Sequence, residues 1–299
     1  MSLPDDFRRW VVRHRPRQLA VQRAISLPRL PGRPRTAGTV WAVSIVRNEE
    51  DVVGLTVCHL LRQGVEGVIV VDHRSIDGTP HVLRSLAAED PRVHVGTFSG
   101  TSFPQGRVMS YLVHRARRAG ADWVVLFDAD EWWFGEHGTI VEHLRSVPDE
   151  AVVAAQLHDA HGTTSAGIDL TDPAGQLFVD LEPNTRKVAI RPRRWVWVDS
   201  GNHTALDLGR ATSSGLRILH LPYRSEQQMR AKAVNGAAAV RADPEMGPGI
   251  ANHWKRLADD EGAIQEEWMQ SAQEPGDREV ARLPLPTRWR EWPARLRKQ

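Results

Sequence analysis

Apolar residues first gather at Val40-Trp41-Ala42-Val43-Ser44-Ile45-Val46, a run of strand length. Polar Arg47-Asn48-Glu49-Glu50 follows it, then a helical stretch to about Gln63, where Gly64 supplies the stop. Val68-Ile69-Val70-Val71-Asp72 is a second β-branched run, and a turn from His73 to Thr79 leads into a helix over about 80–88. Val93-His94-Val95 reads as a weaker strand, and a helix over about 105–119 ends at Gly120. Trp123-Val124-Val125-Leu126-Phe127 then runs into Asp128-Ala129-Asp130-Glu131. Continuously apolar strands alternating with helices predict a parallel α/β sheet buried on both faces. Ligands of such sheets sit at the carboxyl ends of the strands, and here those ends carry Arg47-Asn48-Glu49, Asp72 and Asp128/Asp130.

The pattern is less regular at either end. Asp5 and Asp6 suit the cap of a short basic helix to about Ala24, which Pro28, Pro31, Gly32 and Pro34 then break. Residues 151–157 read as a strand, 161–185 as a Gly-, Thr- and Asp-rich loop, and 187–221 as short strands. Residues 225–270 read as helices broken near Asp243-Pro244 and Gly247-Pro248-Gly249. The expected division is a basic extension over 1–38, a central domain over 39–223, and C-terminal helices with a basic tail over 224–299. The central domain divides into a regularly alternating half (about 39–135) and a less regular half (about 136–223).

Composition narrows the class. The formal net charge of +2 hides +7 in residues 1–38, +4 in 277–299 and −9 between them. An acidic body without a nucleic-acid motif argues against nucleic acid as partner. The basic ends suit either a solvated arm or contact with an anionic membrane face. The lone Cys58 excludes an internal disulfide framework and a cysteine zinc site. With a polar N-terminus and no spanning apolar segment, it points to a cytoplasmic protein, membrane contact being confined to the inner face.

Two carboxylates spaced i, i+2 at a strand end can converge on one hard cation, Mg2+ or Mn2+, which reverses the local sign for an anionic ligand. Asp72 sits where a carboxylate would accept N–H groups of a base or a ribose hydroxyl, with Arg74 beside it. Asp77-Gly78-Thr79 is ordinary turn and cap chemistry. Gln105 and Arg107 open the helix before the D-A-D-E strand, where a helix N-terminus favours anions. The chain holds eleven Trp; Trp132 and Trp133, following the carboxylates, face opposite sides if on a strand, so that one can offer a flat face to a ring while the other packs inward.

The segment Val43 to Glu49, the Asp72–Thr79 turn and the D-A-D-E strand end together resemble glycosyltransferase family 2. More narrowly they are similar to bacterial members with an Asp-Ala-Asp-Glu-aromatic-Trp motif. The likeness continues through Ser200-Gly201-Asn202-His203 and Leu219-His220-Leu221-Pro222-Tyr223-Arg224-Ser225, with Gln228, Lys232, Asn235 and Gly236, and covers about residues 40–240. It implies a GT-A fold (a Rossmann-like, mainly parallel mixed sheet flanked by helices) and a hexosyltransferase-type enzyme using a nucleotide sugar. It implies Arg47, Asn48, Glu49 and Asp72 around the nucleoside, and Asp128, Asp130 and His220 about a divalent metal, Mn2+ or Mg2+, and the diphosphate. The usual Pro-x-Tyr-Asn start is Ser-Ile-Val-Arg-Asn here, and the Gln-x-x-Arg-Trp signature of processive members is absent.

Transfer at an anomeric carbon needs a base on the acceptor hydroxyl and a counter-charge for the leaving diphosphate. His203, Asp159 and Asp199 are the candidate bases; Lys187 and Arg224 are candidate cations. Glu131, Trp132 and Trp133 are the candidate acceptor contacts, the acceptor being a glycan, a lipid-linked molecule or a small hydroxyl compound. By analogy the reaction inverts the anomeric centre. A nucleotidyltransferase is the alternative enzyme, although Arg-Asn-Glu-Glu stands where its glycine-rich loop would be. A non-catalytic carbohydrate- or nucleotide-binding module is the other alternative, and survival of both D-x-D carboxylates and the late histidine favours catalysis over it.

Overall fold

A computed structural model describes residues 16–136, 138–162, 167, 168, 170, 176–194, 196–206, 208, 209, 211, 213–242, 255–272 and 280–284. The expected cap at Asp5 and Asp6, the helix break over 243–249 and the basic tail from Arg288 to Lys298 lie outside the described residues.

A helix over 16–24 (α1) leads into β1 (Ile25–Ser26). The first alternation is β2 (Val40–Val46), α2 (Val53–Arg62), β3 (Gly67–Asp72), α3 (Thr79–Glu89), β4 (Val93–Phe98), α4 (Gln105–Arg118) and β5 (Trp123–Leu126). Then come β6 (Glu131–Gly135), α5 (Ile140–Ser146), β7 (Val152–Gly162), β8 (Gln176–Asp180), β9 (Thr185–Ile190) and β10 (Ser213–His220). The C-terminal part holds α6 (Glu226–Ala242), a short helix over 255–259 (α7), α8 (Glu261–Ala272) and β11 (Val280–Pro284).

One mixed, mainly parallel sheet runs β1-β4-β3-β2-β5-β9-β7-β10-β6, with β8 and β11 attached beside β7. β4, β3, β2 and β5 are mutually parallel. β9 is antiparallel to both β5 and β7, so β7 regains the direction of β5, and β10 runs parallel to β7. The carboxyl ends of β2, β3, β5, β7 and β10 therefore share one edge. β6 is antiparallel to β10 and starts from that edge.

The strands alternate between two cores. Val40 and Ala42 of β2 pack with Val57 and Leu60 of α2, Leu83 of α3 and Leu144 of α5. Trp41, Val43 and Ile45 face the other side, against Val108, Met109 and Leu112 of α4. A third cluster joins Met229 and Ala233 of α6 to Ile264 and Trp268 of α8.

Three elements depart from the sequence reading. Gln176–Asp180, inside the expected loop, pairs with β7, and Val280–Pro284, in the expected tail, pairs with β8. The stretch after Glu131 forms a buried strand and then α5, whose start is closed by a reciprocal Thr139–Glu142 capping box. Among the described residues no helix is long and apolar enough to cross a membrane.

His59 of α2 is buried between Trp132, on which it stacks, and Phe134, and its Nε2 lies 2.7 Å from the Trp133 carbonyl. A carbonyl only accepts, so Nε2 donates. Burial pushes its pKa down to about 4, with the Trp133 carbonyl opposing. An unfolded chain protonates this ring near pH 6.5 while the native one does not, so stability is lost as pH falls from about 6.5 through 4. The loss should be on the order of 3 kcal/mol. Urea midpoints at pH 7.5 and 4.5 should draw together in His59→Leu; an unchanged gap would show that His59 contributes nothing to acid lability.

Candidate active site

The shared edge gathers the charged residues, and a first knot ties the ends of β2 and β3. Asn48 takes the left-handed backbone (φ 55), which asparagine tolerates well, and so does Arg74 (φ 54), which is exposed. Asn48 Oδ1 accepts from Ile76 N at 2.9 Å, and Asn48 N donates to Ser75 Oγ at 2.9 Å. Gly78 N donates to Glu50 Oε2 at 2.6 Å. Asn48 thus staples two loops. Asp72, 7% exposed, accepts from Ser75 N at 3.3 Å through Oδ2, while its buried Oδ1 has no hydrogen-bond partner. A cavity of about 550 Å3, lined also by Pro28, Arg84, His94 and Thr97, runs past Asp72.

A second knot surrounds Asp128. Lys187 of β9 reaches Asp128 Oδ2 at 2.6 Å and Glu131 Oε1 at 2.9 Å. Gln105 and Asn202 each donate to Asp128 Oδ1 at 3.1 Å, and Gln105 Oε1 accepts from Gly201 N at 2.9 Å. Burial alone would lower the Lys187 ammonium, but Asp128 and Glu131 push its pKa upward. Arg107, one turn into α4, lies over the Trp197 ring at 5.2 Å.

The third knot is centred on Asp130, which is buried. Lys232 of α6 donates to its Oδ2, with His220 Nε2 at 3.6 Å and Arg224 Nη1 at 3.8 Å from the same oxygen. Burial would raise the Asp130 carboxyl, yet Lys232 and His220 hold it well below the usual carboxylate range. His220 stands in register with Asp159 on one side and Glu131 on the other. Its Nδ1 is 2.6 Å from Asp159 Oδ1, while Asn184 donates to Asp159 Oδ2 at 2.7 Å. Burial alone would lower the His220 pKa; Asp130 and Asp159 push it up to about 9.

Arg224 is spent on protein partners. It reaches Asp51 at 2.7 Å, Glu49 at 2.6 Å and the Leu221 carbonyl at 3.0 Å, clamping the end of β10 to the end of β2. Its fork, expected to meet a ligand phosphate, is filled by these protein partners. Burial lifts the Glu49 carboxyl to about 7, with Lys232 and Arg224 opposing.

The expected acceptor contacts lie within the core. Glu131, Trp132 and Trp133 are buried because β6 turns back from the edge into the sheet. Trp132 Nε1 donates to Thr56 Oγ1 at 3.1 Å, and Glu131 belongs to Lys187. Among the candidate bases, Asp199 Oδ1 accepts from Thr204 N at 2.8 Å. His203, next to Asn202, has Nδ1 2.7 Å from the Arg186 carbonyl. Arg47 is half-buried and its Nε has no hydrogen-bond partner.

The donors fit a divalent cation held by two residues rather than three. Asp130 Oδ2 and His220 Nε2 flank one point, and Asp159 on Nδ1 orients the ring as a carboxylate behind a ligating histidine does. Asp128, the other expected ligand, has its oxygens on Lys187, Gln105 and Asn202. Among the described residues no group of three His, Cys, Asp or Glu is arranged to hold a metal. The remaining positions of a Mg2+ or Mn2+ would fall to a phosphate-bearing ligand and water.

Residues 41–170, less than half of the chain, match the model of glycosyl transferase family 2. Among solved structures the chain is similar to the mannosyltransferase PcManGT from Pyrobaculum calidifontis, in complex with GDP-Man and Mn2+. Identity is 14% over 87% of this chain and 83% of that one, with a TM-score of 0.42. It is also similar to S. aureus TarS (1-349) in complex with UDP-GlcNAc, at 12% identity over 79% of this chain and 82% of that one, with a TM-score of 0.39. No curated protein matches significantly.

Asn202 completes the second knot, and Asn184 and Lys232 complete the third. The sequence reading placed Asn202 and Lys232 only within motifs, and nothing in the spacing marked Asn184. Because Trp132 is a core residue, Trp132→Ala should cost about 3–5 kcal/mol in urea denaturation. A tryptophan stacked on an external ring would cost within about 0.5 kcal/mol, as exposed positions do.

Proposed function

From the premise that residues 41–170 form a glycosyl transferase family 2 domain, we propose that the chain moves a sugar from a nucleoside diphosphate donor to a hydroxyl acceptor, inverting the anomeric centre. The observation that carries this reading is the line Asp130–His220–Asp159 at the carboxyl ends of β5, β10 and β7. A cation held there would stand at the same sheet edge as Asp72, which keeps an unsatisfied buried acceptor.

In this reading the unpartnered Asp72 Oδ1 accepts an N–H of the nucleobase or a ribose hydroxyl, since an unpaired buried oxygen gains most from a donor. Asp130 and His220 would hold a divalent metal, which supplies positive charge to the departing diphosphate. Lys187 stays with Asp128 and Glu131 and keeps the neighbouring strand end neutral enough for an anion to approach. His203 is the base. Its Nδ1 hydrogen is fixed on the Arg186 carbonyl, which leaves Nε2 as the free lone pair to take the acceptor proton. Asp159 positions His220 and does not touch the acceptor.

The test is a panel of nucleotide sugars titrated calorimetrically with Mn2+, followed by transfer assays. One nucleotide class should bind, and Asp130→Asn should abolish that binding. His203→Ala should keep donor affinity within about threefold and lower transfer at least about 100-fold, the scale of a lost general base. Asp159→Asn should weaken Mn2+ affinity about 10- to 100-fold, as loss of a carboxylate behind a metal-binding histidine does. Substantial transfer by His203→Ala, with none by Asp159→Asn at saturating Mn2+, would reassign the base to Asp159.

A further inference from the structure

The Asp130 carboxylate has more cationic neighbours than it has oxygens to serve them. Lys232 Nζ, His220 Nε2 and Arg224 Nη1 all face Oδ2. Arg224 is fixed by Glu49, Asp51 and the Leu221 carbonyl, and His220 by Asp159. Lys232 differs from both. Its only other partner among the described hydrogen bonds is the Pro222 carbonyl at 3.3 Å, and it is 26% exposed. Its four-carbon stem can therefore swing while the other two stay in place.

An ammonium in contact with Oδ2 and a divalent ion seated on the same oxygen repel strongly at such range. Only one of them can occupy it. We propose that Lys232 is a resident counter-ion that excludes the metal from Asp130 until a nucleoside diphosphate arrives. It then transfers to the diphosphate oxygens as the metal takes its place. This rests on the donor-site reading above and adds a binding order to it. Metal and nucleoside diphosphate bind with positive coupling, because the diphosphate draws away the charge that opposes the metal. By reciprocity the metal tightens the nucleotide by the same factor.

Three titrations test this on the full chain: Mn2+ alone, followed by calorimetry and by the electron spin resonance of the free ion; UDP and GDP with EDTA; and UDP and GDP with Mn2+. Each is run on the wild type, Lys232→Met and Lys232→Arg. Lys232→Met keeps the volume of the stem and removes the charge. It should bind Mn2+ alone about tenfold tighter than the wild type, and the nucleotide with Mn2+ about tenfold weaker, within the ordinary range of coupling. Lys232→Arg should return both affinities toward the wild type. A lysine that merely supports α6 would not tighten Mn2+ when removed. Unchanged or weaker Mn2+ binding in Lys232→Met overturns the proposal, and so does absence of Mn2+ binding in every form. The nucleotide arms judge the donor reading separately. UDP or GDP bound equally well with EDTA keeps that reading and discards the exchange, whereas no nucleotide bound under any condition discards both.

Discussion

A buried carboxylate cannot remain charged without positive partners, and Asp130 is where this constraint organises the molecule. Its partners all come from one late stretch of the chain: His220 at the end of β10, Arg224 just beyond it, and Lys232 on α6. Each is in turn fixed or left free by its own surroundings. His220 has Asp159, Arg224 has Glu49 and Asp51, and Lys232 has solvent on one side. One charge thereby ties the parallel half of the sheet, the mixed half and the C-terminal helices to a single point.

The two aspartates of the D-A-D-E turn consequently do different work. Asp128 is locked by Lys187, Gln105 and Asn202 into a rigid unit with Glu131, so its charge is spent within the protein. Asp130 meets Lys232 on a flexible stem, so its charge can be shared with a ligand. Spacing at a strand end makes the pair look equivalent; the direction of the neighbouring strands makes them unequal. β9 runs antiparallel to β5 and sends Lys187 to the first carboxylate, while β10 runs with β7 and sends His220 to the second.

The alternation of β2 to β5 with their helices was legible because a strand buried on both faces must be almost wholly apolar, as β2 is apart from Ser44, β3 up to its terminal Asp72, and β5 throughout. β6 was not legible, because Trp132 and Trp133 satisfy a strand in the core as well as a platform for a ring, and only the pairing with β10 decides between them. The Thr139–Glu142 capping box was present in the sequence as the spacing of a helix start, yet the strand in front of it hid the turn. Arg224 was readable as a cation but not as a clamp. Its carboxylates lie 173 and 175 residues earlier, a distance no local pattern spans.

That clamp has a mechanical consequence for the neighbouring residues. The short segment from Leu221 to Ser225 joins the histidine strand to the lysine helix, and it is held at both ends. Leu221 N donates to the Asp130 carbonyl at 2.9 Å, and Arg224 grips Glu49 and Asp51. Tyr223 between them donates to Glu267 of α8 at 2.9 Å. A displacement of α6 as a body would have to break these bonds, including a buried ion pair whose loss leaves Glu49 and Asp130 less compensated. Rotation of the Lys232 side chain breaks only its own two contacts. Exchange of partners at Asp130 is therefore a side-chain event on a fixed frame.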